Sequence, residues 1–337
     1  MSSNRQAGLV MTPLTAPGGS DWIRPLGATG LPVSAVAVGG SPLGSMPEVF
    51  GHALSYDDGV ALAAYALDSP VRVIDTANGY SDGESERRIG AAIAARGGLP
   101  ADFLVATKVD AQGRDYSGAR VRASVAESQQ RLGLDHLPLV YLHDPEQHDF
   151  AELSAPGGAV ATLMALRDEG VIGHVGLAGG NVHEMARYLD LGGFEVLLVH
   201  NRWTLVDRSA TDLIAQAEQS GIAVVNAAIY GGGLLAAPRG GSTTYGYRPA
   251  PEATLRAVAA MDRLCTEHGT DLATAALQAS VRDPRVAMTV VGLSRPSRLD
   301  ALVTAVAQDL PEDLFTALED LLPARDHWLD HRPEETS

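Results

Sequence analysis

A chain of 337 residues can bury one large α/β barrel or split into two domains, and its 45% apolar and 20% charged content is that of an ordinary globular protein. The net charge of −16, from 41 acidic against 25 basic residues, argues against nucleic acid as a partner, because no run of Lys and Arg is present to hold a phosphate backbone. No stretch reaches the ~20 apolar residues of a membrane span, so no membrane partner is expected and the cytoplasm is the default location.

Residues 1–20 read as a loosely ordered tail, with a single Arg and a short apolar patch broken by Pro13. From residue 21 to 337 the pattern is that of one domain, as a monomer or a homo-oligomer. Short β-branched runs alternate with amphipathic stretches, the signature of parallel βα units. Strands are expected at Ser34–Gly39, Arg72–Thr76, Phe103–Lys108, Pro138–His143, His174–Ala178, Glu195–His200, Ala223–Ala228 and Ala287–Gly292. Between them the helical patterns SERRIGAAIAAR, ARVRASVAESQQRLGL, GAVATLMALRDEG, VHEMARYLDL and SATDLIAQAEQSG are read, several ending at a Gly suited to a left-handed cap. The run from Gly231 to Pro251 is the longest irregular stretch, placed as a flap over the site or a plain insertion. Cys265, the single cysteine, lies in the apolar pattern MDRLCTEH as a packed core residue, and no intrachain disulfide is possible. Eight strands with crossover helices close a (β/α)8 TIM barrel. The rival, an open doubly wound sheet, would announce itself by GxGxxG after the first strand, where this chain has GGSPLG.

In a barrel the C-terminal strand ends face the active site. The second predicted strand there carries Asp75, the third Lys108 and the fourth His143, with Tyr80 in the short loop after Asp75. Each alone reads as a turn cap, a strand-end charge, a core histidine or a packing ring. Together they supply a coherent chemistry. Reduction of a carbonyl by hydride needs a proton donor for the developing alkoxide, and the reverse needs a base. A Tyr phenol, with an ordinary pKa of about 10, is brought down by a neighbouring ammonium. A carboxylate keeps that ammonium charged, and an imidazole orients the substrate oxygen. The hydride must come from a nicotinamide, NAD or NADP, since no side chain supplies one. His143, Asp144, Glu146, His148 and Asp149 are dense enough to suggest a metal, but they surround Pro145 in a loop and form no helical His pair, so none is expected.

From about Arg24 to Ala305 the sequence resembles the aldo-keto reductase family. RPLGATGLPVSAVAVGG is similar to its N-terminal hairpin and first strand, and IDTANGYSDGESERRIGAAI to its Asp-x-Ala-x-x-Tyr loop and following helix. Its Lys falls on Lys108 in VATKV and its His on His143 in VYLHDPE. The resemblance implies that Tyr80 is the general acid/base, Lys108 its tuning group, Asp75 the support of Lys108 and His143 the residue that orients substrate. It also implies an NADP or NAD site at Gly40, Asp75, Asn181, His200, Gly233, Leu234, Gly292, Ser294 and Arg298. LHDPE, GLAGGN and GGGLLA are most similar to the bacterial group containing D-threo-aldose 1-dehydrogenases and pyridoxal dehydrogenases, which implies oxidation of a sugar hemiacetal to a lactone.

The departures are local. Where many members hold the nicotinamide amide with a Ser-Asn pair, this chain has Ala178-Gly179, with Asn181 two residues on as the replacement. His200 stands for a Gln, and Ala227 for the Tyr that stacks on the nicotinamide, leaving Trp203 or Tyr230 to supply an aromatic face. In GLSRPSRLDAL, Gly292 and Ser294 match the phosphate-binding turn and Arg298 the residue that holds the 2′-phosphate of NADP, while Leu302 replaces an adenine-contacting Asn. NADP is favoured slightly over NAD. Asp144 is read as a ligand to sugar hydroxyls or a turn former, and Trp328 as a pocket wall or the anchor of a tail. The substrate is expected to be a small carbonyl compound or sugar. A redox-sensing regulatory subunit with little turnover is the alternative function, and a metal-dependent barrel hydrolase a third.

Overall fold

The computed structural model describes residues 16–46, 53–237 and 241–331. Of the expected tail, residues 1–15 lie outside the described residues, and Ala16 to Gly19 form a turn in which the Gly19 N–H donates to the Ala16 carbonyl. An antiparallel hairpin follows, β1 (Ile23–Pro25) against β2 (Pro32–Ser34), with Ile23 opposite Ser34. Its Leu26 and Val33 are fully buried and plug the N-terminal end of the barrel.

The barrel consists of β3 (Val36–Gly39), β4 (Val73–Asp75), β5 (Leu104–Val109), β6 (Leu137–His143), β7 (Ile172–Gly179), β8 (Val196–His200), β9 (Ala223–Ala227) and β12 (Val286–Gly292). Each strand is parallel to its neighbours, and β12 closes the barrel on β3 with Gly292 beside Gly39. All eight expected strands are present, with shifted ends. Ser34 is one difference: it belongs to the hairpin. Its Oγ donates to the Val36 carbonyl at 2.6 Å and accepts the Arg72 N–H at 2.9 Å, which turns the chain into β3.

Successive side chains of a strand alternate between faces, and here the faces are the barrel interior and the helical jacket. On β5, Leu104 and Ala106 fill the interior while Val105 and Val109 pack outward. On β6, Leu139 and Tyr141 point inward and Val140 and Leu142 outward. On β4, Val73 points inward and Ile74 outward. The next inward position on each of these strands is the rim residue: Asp75, Lys108 and His143.

Three helices set the loop that carries Tyr80. The helix Glu84–Arg96 packs between Tyr56–Asp68 and Gly118–Leu132. Buried glycines allow these close approaches, and Gly90 lies directly against the backbone carbonyl of Arg131. Past β9 the chain makes a tight turn and, from Thr244, a small hairpin, β10 (Thr244–Tyr245) against β11 (Arg248–Pro249). Tyr245 is buried. Its hydroxyl donates to the Asn201 carbonyl at 2.5 Å and accepts from Thr204 Oγ1 at 2.8 Å, so the hairpin is anchored at its base rather than loose. The C-terminal helix Glu312–Glu319 buries Leu314, Phe315 and Leu318 in a second apolar cluster, which also holds the buried Cys265. No helix of the described residues is long and apolar enough to cross a membrane.

Gly90→Ala should lower the melting temperature. Ala is favoured over Gly in a helix by about 1 kcal/mol, but the added Cβ would overlap a backbone oxygen that cannot rotate away, and overpacking costs about 1–3 kcal/mol. A thermal melt showing Tm unchanged or raised would contradict this helix contact.

Candidate active site

Asp75, Tyr80, Lys108 and His143 meet at the C-terminal rim. Lys108 is 2% exposed, and its Nζ donates to Asp75 Oδ1 at 2.5 Å and to the Thr76 carbonyl at 2.8 Å. The same Nζ is 3.4 Å from Tyr80 Oη. The His143 ring stands edge-on to the Tyr80 ring, with centroids 5.6 Å apart. A phenol, an ammonium, a carboxylate and an imidazole are thereby in reach of one small volume.

The loop before and after Tyr80 is held from outside the barrel. Asn78 Nδ2 donates to the Ser124 carbonyl and to Glu127 Oε2, both at 3.1 Å. Arg131 Nη1 donates to the Asn78 carbonyl at 2.8 Å and lies 3.2 Å from Glu86 Oε2. Glu86 is fully buried and accepts from Thr107 Oγ1 at 2.6 Å, which links the loop back to β5 beside Lys108.

A cavity of about 330 Å³ opens above these groups. Its floor is the uppermost inward residue of every barrel strand: Gly39, Asp75, Lys108, His143, Ala178, His200, Ala227 and Gly292. Half of that ring is glycine or alanine: Ala227, Gly292 and Gly39 are consecutive around it, and Ala178 sits between His143 and His200. Gly40, Asp144 and Tyr247 complete the wall. A larger hollow of about 570 Å³ lies at the opposite end beside the hairpin, where barrel residues serve stability.

Of the expected cofactor residues, Gly40, Asp75, His200 and Gly292 border the cavity. Ser294 and the exposed Arg298 lie just beyond it, at the start of the helix Pro296–Ala307. That helix start has no side-chain cap, and among the described residues nothing accepts the N–H of Ser294 or Arg295. Unpartnered N–H groups just before a helix, a basic side chain one turn on and a cavity with a run of small residues on its floor fit a dinucleotide. Asn181 does not line the cavity. It caps the helix Val182–Leu189, its Oδ1 accepting from the N–H groups of His183 and Glu184. Gly233 lies in the turn after β9, and Leu234 is buried in the second cluster, neither bordering the cavity.

Among the expected substrate residues Asp144 alone borders the cavity. It has a left-handed backbone (φ 43°), and its Oδ1 lies 3.9 Å from His143 Nε2 and 3.7 Å from His200 Nε2. Asp144, Glu146 and His200 bring donor atoms within 4.8 Å of one another; Glu146 Oε1 accepts the N–H groups of Gly180 and Asn181, while its Oε2 and Asp144 Oδ1 have no partner among the described residues. Trp203 is buried away from the rim, its indole donating to Asp283 Oδ2 at 3.0 Å with Arg208 and Arg285 over its faces. Tyr230 packs between the two apolar clusters. Besides Tyr80, the cavity is lined by the ring of Tyr247, on the tip of the small hairpin and T-shaped against His200. Trp328 is an anchor: its indole donates to the Pro323 carbonyl at 2.9 Å.

Two rim groups escaped the sequence reading. Asp110 receives a hydrogen bond from the Gly79 N–H and lies 2.7 Å from His143 Nδ1. It is two residues beyond Lys108, so strand alternation was the signal that could have found it. Tyr116 Oη accepts the His143 N–H at 2.9 Å and donates to the Val109 carbonyl at 2.7 Å, and no local pattern marks it.

The electrostatics differ from expectation in one respect. Burial pushes the Tyr80 phenol up to about 12, and the nearby Lys108 charge, acting in the expected downward direction, does not overcome it. Burial disfavours the Lys108 ammonium, but Asp75 and Tyr80 outweigh burial and hold it above its ordinary range. Burial also opposes the Asp144 carboxylate, yet His143 and His200 keep it well below the usual range.

A closed parallel barrel with these four groups at one rim defines a machine for exchanging a proton at a substrate oxygen, the work of a carbonyl–alcohol oxidoreductase. Residues 36–323 match the Aldo/keto reductase family, and the chain belongs to it. It is an NAD(P)-dependent oxidoreductase. A D-threo-aldose 1-dehydrogenase of Pseudomonas sp is 30% identical, over 86% of this chain and 94% of its own. An L-galactose dehydrogenase of Arabidopsis thaliana is 31% identical, over 85% and 88%. A pyridoxal 4-dehydrogenase of Microbacterium luteolum is 28% identical, over 88% and 96%. The fold is shared with a solved aldo-keto reductase of Bacillus halodurans in its holo form, at a TM-score of 0.72 and 23% identity, over 93% of this chain and 98% of that one. The relatives are dehydrogenases by name, and nothing among them supports the regulatory-subunit alternative.

With its phenol at about 12, Tyr80 is protonated across neutral pH. If Tyr80 is the group that exchanges the proton, its titration should impose no pH dependence on carbonyl reduction through neutrality, while alcohol oxidation, drawing on the phenolate, should climb into the alkaline range. Tyr80→Phe should abolish that climb and cost about 10²–10⁴ in kcat. Initial rates in both directions from about pH 6 to 11 check this; a variant that keeps wild-type rates would remove Tyr80 from the reaction.

Proposed function

We propose that this enzyme interconverts a small polyhydroxylated carbonyl compound and its alcohol, foremost a sugar hemiacetal and its lactone, with a compact heteroaromatic aldehyde as the next class. The observation that carries this reading is a polar cluster in an otherwise largely apolar cavity, where Asp144 stands between His143 and His200 with its Oδ1 lacking a hydrogen-bond partner among the described residues. The names of the sugar and pyridoxal dehydrogenases among its relatives support the same two classes.

A bound nicotinamide carries the hydride. The protein's own groups handle the oxygen. In the oxidative direction the Tyr80 phenolate, which the Lys108 ammonium beside it stabilises, takes the hydroxyl proton and becomes the phenol. Asp75 keeps Lys108 charged and aimed. His143 holds the substrate oxygen, and Asp144 accepts from a neighbouring hydroxyl. Gly40, Asp75 and His200 are proposed to surround the nicotinamide end of the cofactor, and Gly292, Ser294 and Arg298 its phosphate end. Asn181, Gly233 and Leu234 would act indirectly, by shaping the loops around it.

NADP is the proposed cofactor over NAD, on the strength of Arg298, exposed one turn beyond Ser294 and Arg295, whose N–H groups have no partner among the described residues. Its family partner in the adenine contact is absent, since Leu302 is buried in the core cluster.

A panel of aldoses and aldehydes, run with NAD and with NADP and followed by nicotinamide absorbance, tests the whole reading. Preference for long apolar aldehydes would overturn the substrate class. Asp144→Ala should lower kcat/KM for the best aldose by about 1–3 kcal/mol, on the order of five- to a hundredfold, and spare a simple aromatic aldehyde. Equal losses on both would reduce Asp144 to a turn former.

Arg298→Ala should weaken NADP about ten- to a hundredfold, the worth of a charge-assisted contact to phosphate, and leave NAD nearly unchanged. Titration of both cofactors by fluorescence checks it, and an equal loss for the two would dismiss Arg298 as the group that reads the 2′-phosphate.

A further inference from the structure

Asp110 touches both elements that present proton-handling groups to the substrate, and the reaction as described gives it no part. Its Oδ1 is 2.7 Å from His143 Nδ1, and its Oδ2 accepts the Gly79 N–H, next to Tyr80, at 2.6 Å. Its own N–H donates to Ser124 Oγ at 3.2 Å, so the residue is fixed from behind by the helix Gly118–Leu132. The His143 backbone is fixed as well, its N–H donating to Tyr116 Oη.

An ionised carboxylate only accepts hydrogen bonds, so the His143 nitrogen facing Asp110 must carry a proton. In an imidazole, the partner of one nitrogen decides what the other can do. With Nδ1 committed as a donor, the proton that His143 gains and loses sits on Nε2, the nitrogen on the cavity side near Asp144.

We propose that Asp110 is a positioning residue that holds His143 with Nδ1 protonated and Nε2 toward the substrate oxygen, and that through Gly79 it keeps this ring in register with Tyr80. Neutral His143 then accepts from a substrate hydroxyl, and charged His143 donates to a carbonyl oxygen, without the ring turning over.

Several groups face His143 and bear on its titration. Asp110 lies beyond the end of β5, Asp144 follows it at the end of β6, and Lys108 and Tyr80 stand beside it, with His200 sharing Asp144 from β8. Burial disfavours the imidazolium, but Asp110 and Asp144 outweigh burial and the opposing Lys108 charge, holding the ring above its usual value. Removing the Asp110 charge should bring it down.

The rate measurements rest on the oxidoreductase reading above; the spectroscopy does not. Nitrogen-15 NMR of ring-labelled histidine in the wild-type holoenzyme should show neutral His143 as the Nδ1–H form, and finding it as the Nε2–H form overturns the proposal whatever the activity. Asp110→Asn, which keeps the volume, should lower the His143 titration midpoint by about one unit. It should also reduce kcat/KM about ten- to a hundredfold, with the acid limb of the oxidation profile, which needs neutral His143, moving down in step. In a His143→Gln background the same change should cost less than about twofold, because residues acting in series do not add. A loss as large there as in the wild-type chain would place the effect in the Gly79 loop alone and refute the role assigned through His143. A wild type inactive on every sugar would defeat the substrate reading, while the tautomer measurement would still decide this one.

Discussion

The active rim depends on one buried ion pair, Lys108 with Asp75, 2.5 Å apart and both nearly sealed from water. Two charges withdrawn from solvent are costly, and removing either partner alone would strand the other at a penalty of about 3–5 kcal/mol. The surroundings are arranged to offset that cost. Lys108 finds a second acceptor in the Thr76 carbonyl and the face of Tyr80 at 4.9 Å. The pair is therefore weak evidence of stability but strong evidence of purpose: it keeps a positive charge beside a phenol in a place that would otherwise drive that charge out.

Because the ammonium cannot leave, the phenol's behaviour is set by a contest between two terms. Burial raises the cost of the phenolate and Lys108 lowers it. The balance leaves Tyr80 protonated at rest; in the role proposed for it, reduction would start from that state and oxidation would wait on added positive charge or higher pH. The remaining rim residues, Ala227, Gly292 and Gly39 on one arc and Ala178 between His143 and His200, carry no titratable group and supply space. Small and polar residues thus share the ring of strand ends, with the longest run of small ones where β9, β12 and β3 meet.

The legible part of this site was the part governed by strand alternation. Asp75, Lys108 and His143 are each two residues beyond an inward-facing core residue, so their convergence could be read without coordinates. The same rule extends to Asp110. The capping role of Asn181 was also written locally, as an Asn followed three residues on by Glu184 at a helix start. Which aromatic ring faces the cavity was not legible. Trp203 is drawn into the core by Asp283, 80 positions away. Tyr247 reaches the rim because Tyr245 anchors its hairpin to Thr204 and Asn201. Such choices are made by distant partners, as is the balance of burial against charge at Tyr80.

The seam at which β12 meets β3 has a consequence for how the protein matures. Gly292 and Gly39 pair across it, and both line the cavity with Gly40 close by. The two edges of that wall come from opposite ends of the barrel's sequence, so no fragment lacking either end strand can assemble it. Joining strands so distant in the chain is slow, since the loop entropy is spent before the contacts form. A ligand lying along the seam binds only the sealed barrel, and mass action then favours closure by an amount that grows with ligand concentration. In this protein the binding slot doubles as the clasp of the fold, and a cell's supply of the molecule that fills it bears on how much of the chain stays folded as well as on how fast it works.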